Sequence, residues 1–161
     1  MFTIKSFSYC RPGFTKLCKP NSFLFTRNLS NEPKIKEVVV PNTPPHTAPY
    51  SKGIIAGGFV FVSGQLAINP KTNTLVDSDI KEQTRLSILS MKQVLEAAGS
   101  GLDKVVKTTV LLDDISEWPA MNEEYIKHFG KPAPARAAYE VSKLPFDAKV
   151  EIECIALAPK E

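Results

Sequence analysis

Histidine and cysteine, the residues that most often ligate metals, are scarce in this chain. It has two histidines, His46 and His128, and three cysteines among 161 residues. No HExxH pattern, CxxC pattern or carboxylate cluster accompanies them, so we predict no metal site. The glycine-rich patterns GxGxxG and GxxxxGK are also absent, and we predict that the protein needs no cofactor.

Long hydrophobic runs are missing as well. No apolar stretch approaches the roughly 18 residues that a membrane-spanning helix needs. We therefore expect no membrane partner. Cys154 is the one cysteine outside the first 18 residues, and alone it forms neither an internal disulfide nor a zinc site, which fits a reducing compartment.

Acidic residues are absent from the first 31 positions, which hold five basic residues together with many Ser, Thr and Phe. This composition is typical of a mitochondrial transit peptide, and the segment RNLS at 27–30 resembles a matrix-processing site. We predict a transit peptide over residues 1–29, a single domain over residues 30–161, and location in the mitochondrial matrix. A disordered amino-terminal tail is the alternative.

The charge balance depends on that amino-terminal segment. The whole chain has 20 basic and 17 acidic side chains and a net charge of +3. Without the five basic residues of the segment, 15 basic residues remain against 17 acidic ones, so the domain carries about −2. No basic patch recommends nucleic acid as a partner, and we expect none.

The first half of the domain predicts strands followed by a helix. Residues 36–41 (KEVVVP) form a β-branched run stopped by proline, and Gly57 and Gly58 separate two β-rich runs as in a tight hairpin. From 79 to 98 apolar residues recur every three or four positions, which predicts an amphipathic helix. Asp79 and Glu82 can form a reciprocal amino-terminal cap, and Gly99 can end the helix.

The second half repeats this alternation. Residues 105–112 (VVKTTVLL) predict a strand, Ser116 can cap a second helix with Pro119 in its first turn, and segments 135–142 and 149–158 predict two closing strands. The inward residues of that second helix would be Met121, Tyr125 and Phe129, before Gly130.

The order β, ββ, α, β, α, ββ predicts a two-layer α+β domain, with a mixed sheet and two helices on one face. Strands as apolar as FVFV would leave the other face bare, so we predict a homo-oligomer in which another subunit covers it.

Candidate chemical groups are few. Arg136 and Glu151 are charged residues on predicted strands, and Tyr50 lies in the proline-rich loop. From the residues alone, Arg136 and Glu151 are most simply interpreted as a cross-strand surface pair. Ser63, in VSGQ, has no obvious base beside it, so a covalent hydrolase is not favoured.

Five segments together change that interpretation. They are APYSKG (48–53), FVSGQ (61–65), NEEYIKHF (122–129), PARAAYEVSKLP (134–145) and KVEIECIA (149–156). Their order resembles the successive signatures of the Rid family of imine deaminases, also called the YjgF family, over about residues 36–159.

The resemblance implies a chorismate-mutase-like fold, a homotrimer, and active sites in clefts between subunits. It implies that Arg136 anchors a substrate carboxylate and that Glu151 and Tyr50 take part in catalysis. Ser63, Gly64 and Asn122 would line the same pocket. The chain departs from many members two positions after the arginine, where Ala138 replaces a frequent cysteine.

The implied reaction is hydrolysis of short 2-imino acids, 2-iminobutanoate and 2-iminopropanoate, to 2-oxo acids and ammonia. This would protect pyridoxal phosphate enzymes and support isoleucine synthesis. The family has also been associated with RNA cleavage and inhibition of translation, and a chaperone or ligand-sensing trimer without turnover is a third possibility.

Overall fold

The protein is described by a computed structural model over residues 34–41, 43 and 48–160. The predicted transit peptide (1–29) and most of the proline-rich loop, including His46, lie outside these residues. The strands are β1 (Lys36–Glu37), β2 (Gly53–Ala56), β3 (Phe59–Gln65), β4 (Ile68–Asn69), β5 (Thr74–Leu75), β6 (Val105–Leu112), β7 (Ala135–Glu140) and β8 (Val150–Leu157). The helices are α1 (Ile80–Ala97) and α2 (Trp118–Tyr125).

Six strands form one mixed sheet in the order β1-β2-β3-β8-β6-β7. All neighbours are antiparallel except β6 and β7, which are parallel. Both helices share one core with the sheet, and the inward side chains of β8, at Val150, Ile152, Cys154 and Ala156, are buried. The two-layer α+β prediction is therefore confirmed.

The hairpin between β2 and β3 forms as predicted. Gly57 and Gly58 have φ of +58° and +83°, a region that residues with a Cβ rarely adopt. The predicted strand over 36–41 is shorter than expected, because only Lys36 and Glu37 belong to β1.

Helix α1 begins and ends where the sequence indicates. The Asp79 carboxylate accepts from the Glu82 backbone N–H at 2.8 Å, and Gly99 follows the helix with φ of +73°. The reciprocal cap was expected to use the Glu82 side chain as well. The Glu82 carboxylate instead accepts from the Arg85 guanidinium at 2.6 and 2.8 Å.

The start of α2 corrects one prediction. Ser116 is not the cap; the Asp114 carboxylate accepts from the Ser116 backbone N–H at 2.8 Å, and a short 3-10 turn leads into the helix at Trp118. Pro119 lies in the first turn, as expected. The helix ends at Tyr125, well before Gly130, yet Phe129 beyond its end is still buried.

The sheet face opposite the helices carries large exposed apolar side chains. Phe59 and Phe61 of β3 and Leu157 of β8 are 39–46% exposed. The two rings lie 6.4 Å apart, and Phe59 is in register with Leu157. This is the bare hydrophobic face that the strand sequences predict.

Candidate active site

Arg136 lies on β7, the edge strand, in register with Thr108 of β6. Its guanidinium extends over aromatic rings of α2: the Cζ atom is 4.6 Å from the Tyr125 ring centroid and 5.9 Å from that of Trp118. Both distances are in the range of cation–π contact. The anchor predicted from the sequence is thus half-buried on the helix side of the sheet.

The ring beneath Arg136 is fixed from several sides. The Tyr125 hydroxyl shares a hydrogen bond of 2.7 Å with the Thr108 hydroxyl, and both residues are buried. The ring also packs on Phe129, with centroids 4.5 Å apart. Burial raises the pKa of the Tyr125 phenol, so it stays neutral at physiological pH.

Asn122 belongs to the same part of the molecule. It follows Trp118 by four residues and precedes Tyr125 by three, so these three residues share one side of α2. The structure therefore places the predicted pocket residue Asn122 on the helix side that Arg136 contacts.

Glu151 occupies a different environment. It lies on β8 between the buried residues Val150 and Ile152, so strand alternation turns its side chain to the open face of the sheet. Partial burial, with a smaller contribution from the negative charge of Glu153, raises the pKa of the Glu151 carboxyl. A carboxylate with a raised pKa is a stronger base than an ordinary surface glutamate.

Gly64 is the position against which Glu151 packs. A Cβ at Gly64 would lie 2.6 Å from Cδ and 2.9 Å from Cγ of Glu151, closer than real Cβ atoms come. The register between β3 and β8 shifts between Val62 and Gln65, which marks a bulge at this point. Gly64 is thus needed for close approach, and this is its contribution to the site.

The bulge is held by a residue that the sequence prediction missed. The buried Gln65 side chain donates through Nε2 to the carbonyls of Ser63 at 2.9 Å and Gly64 at 3.3 Å. Its Oε1 accepts from the Ser90 hydroxyl at 2.7 Å. The only signal in the sequence was the place of Gln65 at the end of the FVSGQ segment.

Ser63 connects this bulge to the loop that carries Tyr50. The Ser63 hydroxyl donates to the Ser51 carbonyl at 2.7 Å, and its backbone N–H donates to the Lys52 carbonyl at 3.1 Å. Tyr50 itself is 51% exposed. Contacts therefore connect the Tyr50 loop with Ser63, Gly64 and Glu151.

The structure does not bring all predicted site residues together. Arg136 is in register with Thr108, which is buried toward the helices, whereas Glu151 faces the open side. Strand β6 also separates β7 from β8. The interpretation of Arg136 and Glu151 as a cross-strand pair is therefore wrong.

Within residues 34–41, 43 and 48–160 no group of three or more His, Cys, Asp or Glu side chains could hold a metal ion. In the same residues no helix has both the length and the apolarity to cross a bilayer.

Comparison with known proteins gives a family assignment. The family model described as Endoribonuclease L-PSP matches residues 40–158. A RutC family protein of Pyrococcus horikoshii is 49% identical over 123 residues, covering 76% of this chain and 98% of the relative. The human 2-iminobutanoate/2-iminopropanoate deaminase is 38% identical over 109 residues, covering 68% and 80%.

A solved structure agrees in fold. The crystal structure of E. coli TdcF with bound serine has a TM-score of 0.69 and 32% identity, and the match covers 77% of this chain and 99% of that one. The same family is thus indicated by the sequence motifs, the family model and the fold. The chain belongs to the Endoribonuclease L-PSP family, which is the Rid family that its motifs resemble.

Proposed function

We propose that this protein is a hydrolytic imine deaminase that converts short 2-imino acids, 2-iminobutanoate and 2-iminopropanoate, to 2-oxo acids and ammonia. The observation that carries the proposal is the guanidinium of Arg136, which is held over aromatic rings. The name of the human relative, a 2-iminobutanoate/2-iminopropanoate deaminase, supports it. So does the serine bound to TdcF, since serine is a small carboxylate with three carbons.

Arg136 suits a carboxylate from outside the chain. Among residues 34–41, 43 and 48–160, no Asp or Glu side chain forms an ion pair with it. Its planar fork can donate to both oxygens of a carboxylate, a geometry that lysine lacks. Binding at that end would fix the orientation of the imine carbon toward water.

Glu151 is the proposed general base. Its raised pKa favours removal of a proton from water as the water oxygen adds to the imine carbon and the imine nitrogen takes a proton. The resulting carbinolamine then loses ammonia and becomes the 2-oxo acid. Tyr50, Ser63, Gly64 and Asn122 are assigned to the same pocket, with Tyr50 orienting water or substrate. Neither a metal nor a cofactor takes part in these steps.

The opposite orientations of Arg136 and Glu151 support a site shared between subunits. A small imino acid cannot contact both faces of one sheet, so we assign Arg136 to one subunit and Glu151 to the partner subunit. A homotrimer would also cover the apolar face at Phe59, Phe61 and Leu157, whose exposure is otherwise costly.

The amino-terminal composition supports a cellular role in the mitochondrial matrix after removal of residues 1–29. There the enzyme would hydrolyse imines released by pyridoxal phosphate enzymes, protect those enzymes, and support isoleucine synthesis at the threonine dehydratase step. Import of the full chain with a carboxyl-terminal tag, and amino-terminal sequencing of the imported product, would test this location; a tagged protein that stays outside mitochondria would contradict it.

A coupled assay tests the activity. Threonine dehydratase generates 2-iminobutanoate, semicarbazide competes for it, and the purified protein is added as wild type or with Arg136→Ala. We expect wild type to lower semicarbazone formation and the assembled variant to have no effect. Equal rates for the two proteins would show that Arg136 is not the anchor, and no effect of either would overturn the proposed function.

The family description also names endoribonucleases, so RNA cleavage is the second candidate. Acid–base cleavage of RNA commonly uses paired histidines. In the described region the His128 ring is hydrogen-bonded to the Glu124 carboxylate, with Nε2 and Oε1 3.0 Å apart, so this histidine is already engaged by a carboxylate of its own segment. Incubation of the same preparation with a labelled single-stranded RNA would decide this second candidate.

A further inference from the structure

We propose that Tyr125 and Trp118 are positioning residues for Arg136. The two rings form an aromatic clamp, meaning the pair of α2 side chains that the guanidinium contacts, and the clamp sets the affinity of Arg136 for a carboxylate. The proposal rests on the proposed function only in taking Arg136 as the carboxylate anchor. Neither ring is assigned a chemical step.

Tyr125 forms the fixed side of the clamp. Its ring is 4.6 Å from Arg136 Cζ, and its hydroxyl is bound to Thr108, the register partner of Arg136 on the neighbouring strand. Three elements thus meet in one closed set of contacts: β7 supplies the guanidinium, α2 the ring, and β6 the hydroxyl. Because the ring is buried, it cannot rotate away without breaking the core.

Trp118 forms the open side. It is the only tryptophan of the chain, it is 41% exposed, and its ring is 5.9 Å from Arg136 Cζ. Its position at the first residue of α2 is set by the turn that Asp114 caps. An exposed ring beside the guanidinium shields it from water, which strengthens charge-assisted hydrogen bonds to a carboxylate.

The physical effect is pre-organisation. A free arginine side chain has many rotamers, and fixing one on binding has an entropic cost. Aromatic faces attract the flat cation and leave its N–H edge available for a ligand. The rotamer entropy of Arg136 is therefore lost when the protein folds and not when the carboxylate binds. Loss of a ring should therefore weaken carboxylate binding while the chemical step, which does not use the ring, changes less.

Direct titration with 2-oxobutanoate, the product of the proposed reaction, tests the clamp without any turnover. Trp118 fluorescence reports binding in wild type, in Tyr125→Phe and in Tyr125→Leu; calorimetry reports it in Trp118→Phe and Trp118→Leu. We expect the leucine variants to raise Kd roughly tenfold and the phenylalanine variants to stay within about twofold, because phenylalanine keeps a π face. Arg136→Ala should abolish the fluorescence response.

Imine kinetics provide the second measurement. In the leucine variants KM should rise in parallel with Kd, with a smaller change in kcat. Because Tyr125 is buried, Tyr125→Leu should reduce stability, but Trp118→Leu changes a partly exposed residue and should fold and assemble as wild type. Phe146→Leu, which removes a 67% exposed ring elsewhere, is the matched control and should leave Kd unchanged.

The outcomes separate this proposal from the proposed function. Binding of 2-oxobutanoate that depends on the rings, without imine turnover, would support the clamp and overturn the deaminase. Imine turnover with wild-type Kd and KM in both leucine variants would overturn the clamp and leave the deaminase standing. Equal losses in the phenylalanine and leucine variants would also overturn it, since packing rather than π attraction would then explain the effect.

Discussion

Arg136 and Glu151 lie on opposite faces of one sheet, with strand β6 between their strands. Thr108 of β6 shows this most directly, because it is buried on the helix side of the sheet and is in register with Arg136 of β7. Thr108 is also in register with Cys154 of β8, which lies three residues beyond Glu151. An odd number of residues along a strand reverses the face. A reaction that needs both side chains at one small substrate therefore needs two copies of the chain.

Mixed assembly of two inactive variants tests this relationship. Arg136→Ala and Glu151→Gln are each expected to lose most imine hydrolysis as separate preparations. After unfolding and joint refolding of equal amounts, the proposed trimers would assemble at random and some would contain intact pairs of Arg136 and Glu151 from different subunits. We expect about a quarter of the wild-type rate per subunit, measured by the semicarbazide assay.

Refolding each variant alone is the control for this mixture. A site built within one subunit would contain a defect in every copy, so the mixture would stay at the level of the separate variants. Light scattering on each sample would verify that assembly itself had not changed.

Gly64→Ala should displace Glu151 and lower turnover by one order of magnitude or more, because an added Cβ would come within 2.6 Å of the Glu151 carboxyl carbon. Gly130→Ala is the matched control, since an added Cβ there meets nothing within 4 Å in the chain. Rates and thermal midpoints of both variants would be compared. Full activity in Gly64→Ala would show that the position of Glu151 against the bulge is unimportant.

Local signals explain what could be predicted from the sequence. The hairpin at Gly57 and Gly58 needs positive φ, and the Asp79 cap and Gly99 define the ends of α1. Each of these is decided by residues within one or two turns of chain. The choice of Asp114 over Ser116 as a cap was missed because both residue types accept from backbone N–H groups.

Long-range pairing explains what could not be predicted. Insertion of β8 between β3 and β6 determines which strands are neighbours, and no local sequence pattern predicts this insertion. The clamp of Tyr125 and Trp118 around Arg136 joins residues that are 11 and 18 positions apart and follows from that topology. Family motifs indicated which residues matter, but the sheet face that each residue occupies could be determined only from the register of the sheet.

The acidic limb of the pH profile should report Glu151. A base must be ionised, so activity falls as pH drops through its pKa, and burial raises that pKa above the ordinary value. Glu153→Gln removes the negative charge that makes the smaller contribution to the raised pKa of Glu151. It should therefore move the acidic limb of the kcat/KM profile to lower pH. Glu96→Gln, an equal change of net charge at an exposed position on α1, should not move it. Identical limbs in all three proteins would show that Glu153 does not perturb the titrating group, which would contradict its assignment to Glu151.

The same raised pKa has a consequence for stability. The folded state binds the Glu151 proton more tightly than the unfolded state, so the stabilising contribution is complete at low pH and is lost as pH rises through the folded pKa. Glu151→Gln has no charge to bury and should melt higher than wild type at pH 7. The difference should disappear below about pH 4, where wild type is protonated. Scanning calorimetry at the two pH values would show it, and a lower melting temperature for the variant at pH 7 would contradict the sign.

Ser63 provides the last test, because its hydroxyl ties the bulge to the loop that carries Tyr50. Ser63→Ala removes the 2.7 Å bond to the Ser51 carbonyl and should lower stability by about 1 kcal/mol. Ser100→Ala removes a bond of equal length, to the Leu157 carbonyl, at a distant point of the fold. Both variants should lose similar stability in denaturant titrations, but only Ser63→Ala should lower imine turnover, by several-fold, since only there does the loop of Tyr50 gain freedom. If turnover fell equally in both variants, loss of stability would explain the effect, and Ser63 would have no part in positioning Tyr50.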